Sequence, residues 1–151
     1  MIVGGGGFAR EAMDVVDAVN AQPLSKRVQH YEVLGFVDDG EPNMKVMQPY
    51  GLRHLGAISS LEDFPPDVIY TIGIGSPHAR RAIDQRFSDV RDSPVLVHPS
   101  ATVARAVTVG PGTVVCAGAR ITNNVRIGRH VHVNLNSTIG HDAVLRDYVA
   151  R

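Results

Sequence analysis

His141 and Asp142 stand next to each other in this chain. A neutral imidazole beside a carboxylate is the equipment of a general base near neutral pH. The bland alternative is an exposed corner histidine with no role. His98, His130 and His132 are read in that second way. A three-histidine metal site on a subunit axis is conceivable, but the spacing does not demand one, and no metal is expected. Cys116 is the only cysteine. A nucleophilic Cys–His pair would need a partner within reach, which makes it the weaker reading.

A second set of residues suits phosphate. Gly4-Gly5-Gly6-Gly7 directly follows the short strand end Met1 to Val3 and precedes a helical pattern. Gly4-x-Gly6-x-x-Ala9 fits the G-x-G-x-x-G/A spacing. Its glycines let backbone approach a phosphate, and the helix N-terminus offers N–H groups and a positive dipole end. A tight strand-to-helix turn with no ligand is the alternative. Asp38 and Asp39 close a second strand, Glu32 to Val37, where an acidic residue can hold a ribose hydroxyl. They stand equally as a simple turn before Gly40. Gly73-Ile74-Gly75-Ser76-Pro77 forms another glycine turn after the buried-strand run Asp67 to Ile74. It is expected at the same sheet edge as the first, where α/β sheets bind ligands.

The elements that must position these groups come in two halves. In the first, Ala12, Val15, Val16 and Val19 make the apolar stripe of a helix over Phe8 to Ala21, closed by Pro23. Residues 41–51 read as an irregular loop and Leu52 to Gly56 as a short extended piece. Ser59 to Phe64 reads as a turn or two of helix capped by Ser59. A helix follows from His78 to about Phe87, with Ser76 as its cap and Pro77 in its first turn. His78 is a surface residue of that helix. The α/β domain is expected over residues 1–93.

The second half, residues 94–151, is a repeat. Every sixth residue from Val97 is aliphatic: Val97, Val103, Val109, Val115, Ile121, Ile127, Val133, Ile139 and Leu145. A parallel column runs through Val95, Ala101, Val107, Thr113, Ala119, Val125, Val131, Ser137, Ala143 and Val149, all small or β-branched. Six is not a multiple of 3.6, so no helix face survives such a period. A short strand plus a corner does survive it, and three such sides close one coil. Residues 97, 115 and 133 should then stack, as should 103, 121 and 139, and 109, 127 and 145. This is the hexapeptide-repeat parallel β-helix, about three coils long. On it His141 falls on an outward corner above Asn123, and Cys116 stacks between His98 and Asn134.

Composition narrows the function classes. Lys and Arg together balance Asp and Glu at 15 each, so the electrostatic footprint of a nucleic-acid binder is missing. No apolar run reaches membrane-spanning length and no signal-peptide pattern opens the chain. One cysteine allows no disulfide framework. A cytoplasmic protein without nucleic-acid or membrane partners is expected.

Four stretches together carry a family likeness: Ile2-Val3-Gly4-Gly5-Gly6-Gly7-Phe8-Ala9-Arg10-Glu11, Leu34-Gly35-Phe36-Val37-Asp38-Asp39, Ile72-Gly73-Ile74-Gly75, and Val133-Asn134-Leu135-Asn136-Ser137-Thr138-Ile139-Gly140-His141-Asp142. They resemble the hexapeptide-repeat sugar acyltransferases, the group of sialic acid O-acetyltransferases and UDP-amino-sugar N-acetyltransferases. The likeness covers essentially the whole chain. It implies a Rossmann-like α/β domain followed by a left-handed parallel β-helix. Gly4, Gly5, Gly6, Gly7, Phe8, Asp38, Asp39, Gly73 and Gly75 would hold a nucleotide-sugar instead of a dinucleotide. The β-helix would form a homotrimer with active sites between neighbouring subunits. His141 would be the general base for attack of a sugar amine or hydroxyl on acetyl-CoA, the co-substrate. Asp142 would orient that histidine, and Asn134 would lie near the pocket.

Two departures from the resemblance are visible. Relatives continue for several coils that build much of the coenzyme A groove, whereas this chain ends at Arg151, on the inward aliphatic register. It therefore reads as shortened. A histidine that some relatives carry nine residues after the catalytic one is Ala150 here. The expected function is acetyl transfer to a nucleotide-linked or related sugar. The alternatives are a non-catalytic nucleotide-sugar-binding, oligomerising module, and a nicotinamide oxidoreductase.

Overall fold

The computed structural model describes residues 1–26 and 29–151. They divide into two compact units, Met1–Met13 with Glu32–Pro94, and Asp14–Tyr31 with Val95–Arg151.

In the first unit β1 (Ile2–Val3), β2 (Phe36–Val37) and β3 (Thr71–Ile72) make a parallel sheet in the order β2-β1-β3. Ile2 pairs with Phe36 on one side and Thr71 on the other. The expected longer strands, Glu32 to Val37 and Asp67 to Ile74, shrink to two residues each. The ladder stops after Val3, where Gly4, φ 108°, turns the chain out of the sheet. The helix α1 spans Gly7–Asn20, starting directly from the glycine run. Val3, Val37, Leu61, Tyr70, Ile72 and Phe87 form the core beneath this sheet.

Local capping corrects two expectations here. Residues 41–51 are not wholly irregular. Asn43 accepts a hydrogen bond from the Lys45 amide at 3.1 Å and starts the short helix α2, Met44–Met47. A 3-10 turn, Gln48–Tyr50, follows and ends on Gly51. Ser59 is not a cap, because the 3-10 helix Ile58–Asp63 already contains it. The helix α3, Pro77–Phe87, does have Ser76 as its cap, with Ser76 Oγ accepting from the Ala79 amide at 3.3 Å.

Arg91 ties the end of the 3-10 helix to the sheet. Its buried guanidinium donates to the carbonyls of Leu61, Phe64, Pro65 and Val68. Beside it the Met1 ammonium donates to the Ile69 carbonyl at 2.8 Å. Burial, and then the Arg91 charge, push this amine down from its ordinary value of 8.0 to about 6. The folded state thus favours the neutral amine. Above pH 8 neither state holds the proton and no penalty applies. Between about pH 8 and 6 the unfolded chain is protonated first, so stability falls as the pH falls. The loss should be on the order of 2 kcal/mol. Urea denaturation at the two pH values, with the free and the acetylated N-terminus, checks it. Acetylation should remove that part of the slope, and an unchanged slope would contradict the assignment.

The second unit contains β4 (Leu96–Val97), β5 (Thr102–Val103), β6 (Thr108–Val109), β7 (Val114–Val115), β8 (Arg120–Ile121), β9 (Arg126–Ile127), β10 (His132–Val133), β11 (Thr138–Ile139) and β12 (Val144–Leu145). They form three parallel sheets, β10-β7-β4, β11-β8-β5 and β12-β9-β6. Val97 pairs with Val115 and Val115 with Val133; Val103, Ile121 and Ile139 do likewise, as do Val109, Ile127 and Leu145. The winding of a parallel β-helix with three sides per coil follows from this register. Its core is the aliphatic column from Val115 to Leu145 together with Ala119, Val125 and Val131; Val97 and Val109 pack against it half-buried, and Val103, expected inward, is exposed because its coil is the first and has no coil beneath it. Thr113 is buried in the small-residue column, where its hydroxyl donates to the Gly128 carbonyl at 2.8 Å and accepts from the Val131 amide at 3.1 Å.

From the corner after β5 onward, each corner turns through a left-handed residue. Ala106, Gly112, Gly118, Asn124, His130, Asn136, Asp142 and Tyr148 all have φ between 49° and 72°, six residues apart. Asn and Asp tolerate this conformation best after glycine. The structure also overturns the reading of two histidines as exposed corners. His130 and His132 are buried. His130 is buried within its corner column, against Gly112 on one side and stacked with Tyr148 on the other, ring centroids 6.2 Å apart. His132 belongs to a sheet whose outer face, with Leu96 and Val114, is wholly buried. The unit's remaining segment, Asp14–Tyr31, contributes the buried Val15 and Val16.

Candidate active site

The corner between β11 and β12 brings His141 and Asp142 together. Asp142 takes the left-handed position, φ 62°, which turns its carboxylate back toward the preceding side chain. His141 Nδ1 and Asp142 Oδ2 are 2.6 Å apart. Both side chains are solvent-facing, 75% and 62% exposed. Asn124, one coil below Asp142, donates from Nδ2 to Asp142 Oδ1 at 2.5 Å. The Asn124 hydrogen bond, and then the one to His141, hold the Asp142 carboxyl below its ordinary value. It is therefore ionised at neutral pH and can only accept. In the neutral imidazole the proton of the His141–Asp142 bond then sits on Nδ1, and the lone pair is on Nε2, away from the carboxylate. This is the tautomer a general base needs.

Asn124 is not among the candidates that the sequence singles out. The signal is nonetheless there: position 124 lies 18 residues before 142, one full coil in the observed register. Asn134, by contrast, sits on the corner between β10 and β11, exposed, and not on the His141 corner. Asn123 and Arg105 lie in the His141 column below it, both exposed. An open cavity of about 470 Å³ is lined by Ile139, Leu145, Val149, Arg146 and Arg151 at the last coil; His141 and Asp142 do not line it. Arg151 does not bury its charge on the inward register. It is exposed, and its backbone pairs with His132 and Asn134.

Within the first unit the two glycine turns meet. Strands β1 and β3 are parallel neighbours, so both turns leave the same sheet edge. A Cβ on Gly4, where φ is +108°, would stand 2.5 Å from Ile74 Cγ1, and one on Gly73 would stand 2.5 Å from Ala9 Cα. Glycine at these places lets the first turn of α1 seat directly on β3. Asp38 joins them, with Oδ2 accepting from the Gly5 amide at 2.6 Å and Oδ1 from the Gly40 amide at 2.7 Å. Its carboxylate thus makes the turn and grips the glycine loop at once. Asp39 accepts from the Ile58 amide at 2.8 Å. A Cβ on Gly6 or on Gly75 would meet no heavy atom within 4 Å, so backbone on both turns is open to a ligand. Phe8 is half-buried at the start of α1. His54 stacks on Phe36, centroids 5.1 Å apart, and approaches the Asp38 carbonyl at 3.2 Å.

Cys116 is buried, which removes it as a nucleophile. Among the described residues no group of three or more His, Cys, Asp or Glu is placed to hold a metal ion. No helix among them is long and apolar enough to cross a membrane.

Comparison with known proteins places this geometry. The chain is 25% identical over 149 residues to a GDP-perosamine N-acetyltransferase of Escherichia coli O157:H7, covering 98% of this chain and 64% of that protein. It therefore spans less than two thirds of that relative's length. The acetyltransferase domain of PglB from Neisseria gonorrhoeae FA1090 superposes with a TM-score of 0.78 at 27% identity, over 99% of this chain and 68% of that one. That domain has also been solved with acetyl coenzyme A. PerB from Caulobacter crescentus, solved with CoA and GDP-perosamine, shares the fold with a TM-score of 0.78 at 23% identity, over 99% of this chain and 66% of its own. Residues 1–87, more than half of the sequence, match the family described as the PglD N-terminal domain, and the chain belongs to that family.

Proposed function

We propose that this chain transfers an acetyl group from acetyl-CoA to the amine of a nucleotide-linked sugar. The observation that carries the proposal is the His141–Asp142 pair, 2.6 Å apart through Nδ1 on an exposed corner. The relatives named as sugar N-acetyltransferases support an amine over a hydroxyl as the nucleophile.

In this reading His141 Nε2 takes a proton from the sugar amine as its nitrogen bonds to the thioester carbonyl carbon. The tetrahedral intermediate collapses, the C–S bond breaks, and the imidazolium returns the proton to the departing thiolate. Asp142 stays ionised throughout and steadies the imidazolium. Residues 1–93 act as a Rossmann-like nucleotide-sugar domain. There the open backbone of Gly6, Gly7 and Gly75 receives the phosphates, beside Gly4, Gly5, Phe8, Asp38, Asp39 and Gly73. Residues 94–151 form the left-handed β-helix of a homotrimer, with Asn134 near a pocket between subunits. Acetyl-CoA and nucleotide-sugars are charged and do not cross membranes, so the reaction belongs in the cytoplasm.

Release of free thiol from acetyl-CoA, on addition of GDP-perosamine or a UDP-linked amino sugar, tests the proposal. Sugar-dependent release is the expected result. Calorimetric binding of the nucleotide-sugar without any turnover would overturn it in favour of a binding module.

A further inference from the structure

We infer that Asn124 is the positioning residue of this site: its side-chain amide holds the Asp142 carboxylate in the one orientation that keeps His141 in its base-competent tautomer. The inference rests on the acetyl-transfer reading for its catalytic part only. Its structural part rests on three observations. Asn124 Nδ2 donates to Asp142 Oδ1, while Asp142 Oδ2 faces His141 Nδ1. Both Asn124 and Asp142 occupy left-handed corners, φ 55° and 62°, one coil apart, which stacks their side chains. Below them the same column holds Ala106, whose side chain has no polar group to draw the amide away.

Residue type matters here. An exposed carboxylate with one oxygen unheld can rotate about χ2 and lose the imidazole, because that torsion is broad. Asparagine offers a neutral donor and tolerates the left-handed backbone. A lysine or arginine would compete with His141 for the charge, and an aspartate would repel it. The other corners are built differently. Gly118 donates its amide to Ser100 Oγ at 3.1 Å in one column, and His130 stacks with Tyr148 in another. An amide under a carboxylate occurs where the candidate base is. The titratable group that acts on Asp142 is His141 beside it.

A merely structural role is also open to Asn124, since the corner needs a residue that accepts positive φ. Asn124→Gly separates the two. Glycine suits that backbone at least as well, so a structural role leaves every property unchanged or improves stability. A positioning role predicts a higher midpoint for the Asp142 carboxyl in a carbon-13 NMR titration and a lower Nδ1–H population for His141 in nitrogen-15 spectra. It also predicts kcat down by roughly tenfold with KM little changed. Asn124→Asp should raise the carboxyl midpoint further, because two carboxylates then share the corner. An unaltered titration and tautomer in Asn124→Gly would overturn the inference. The NMR readouts need no turnover. If they move while the unmodified protein transfers no acetyl group, the acetyl-transfer reading fails and the contact stands.

Discussion

His141→Ala is expected to lower kcat for acetyl transfer by roughly 10²- to 10⁴-fold, the usual contribution of a positioned general base. KM for acetyl-CoA and for the sugar should change little, because the imidazole acts on the proton in flight and not on substrate affinity. The side chain is 75% exposed and lies on the outside of the coil, so its loss removes no core packing. Melting should therefore stay within about 0.5 kcal/mol of the unmodified protein. Steady-state thiol release and a thermal melt on the same preparation check both halves. Unimpaired turnover would remove His141 as the base. Loss of activity together with loss of folding would point to a packing role instead.

The second large effect concerns the winding. Ile121 sits in β8, the middle strand of its sheet, and is 2% exposed; its neighbour Arg120 faces solvent. Ile121→Asp places a carboxylate among Val103, Ile139 and the rest of the aliphatic column, with no polar partner there. That should cost about 4 kcal/mol or more. Domains are stable by roughly 5–15 kcal/mol in total, so the β-helix should lose its cooperative melt or fail to accumulate folded. Arg120→Ala removes only an exposed side chain and its hydrogen bond to the Ser100 carbonyl. It should cost less than about 1 kcal/mol. Circular dichroism melts of the two variants, one residue apart, read the in–out alternation directly. Equal melting temperatures would contradict the coil register.

The contrast between these neighbours shows what a single sequence holds. A six-residue column of aliphatics has one economical solution, because inward position recurs only if each side is a short strand and each corner a turn. The stacking of 97 on 115 on 133 follows from closing three sides, and the observed ladders match it. The Ser76 cap and the seating of the two glycine turns at one sheet edge were legible for a similar reason: each depends on neighbours in sequence or on parallel strand order.

Tertiary structure alone decided the rest. Period says which residues share a column but not where a corner side chain turns, because that depends on which residue takes the left-handed backbone. Hence His130 is buried at its left-handed corner, and His132 on the covered face of β10, although the sequence reading puts both at exposed corners. Hence too Asn124, unremarkable in sequence, meets Asp142 across a coil, while Asn134 stays on a different corner. Composition and spacing determined the columns, the turns and the imidazole–carboxylate pair. Contacts between coils, which only folding creates, determined which oxygen of Asp142 is held by Asn124 and which is left to face His141 Nδ1.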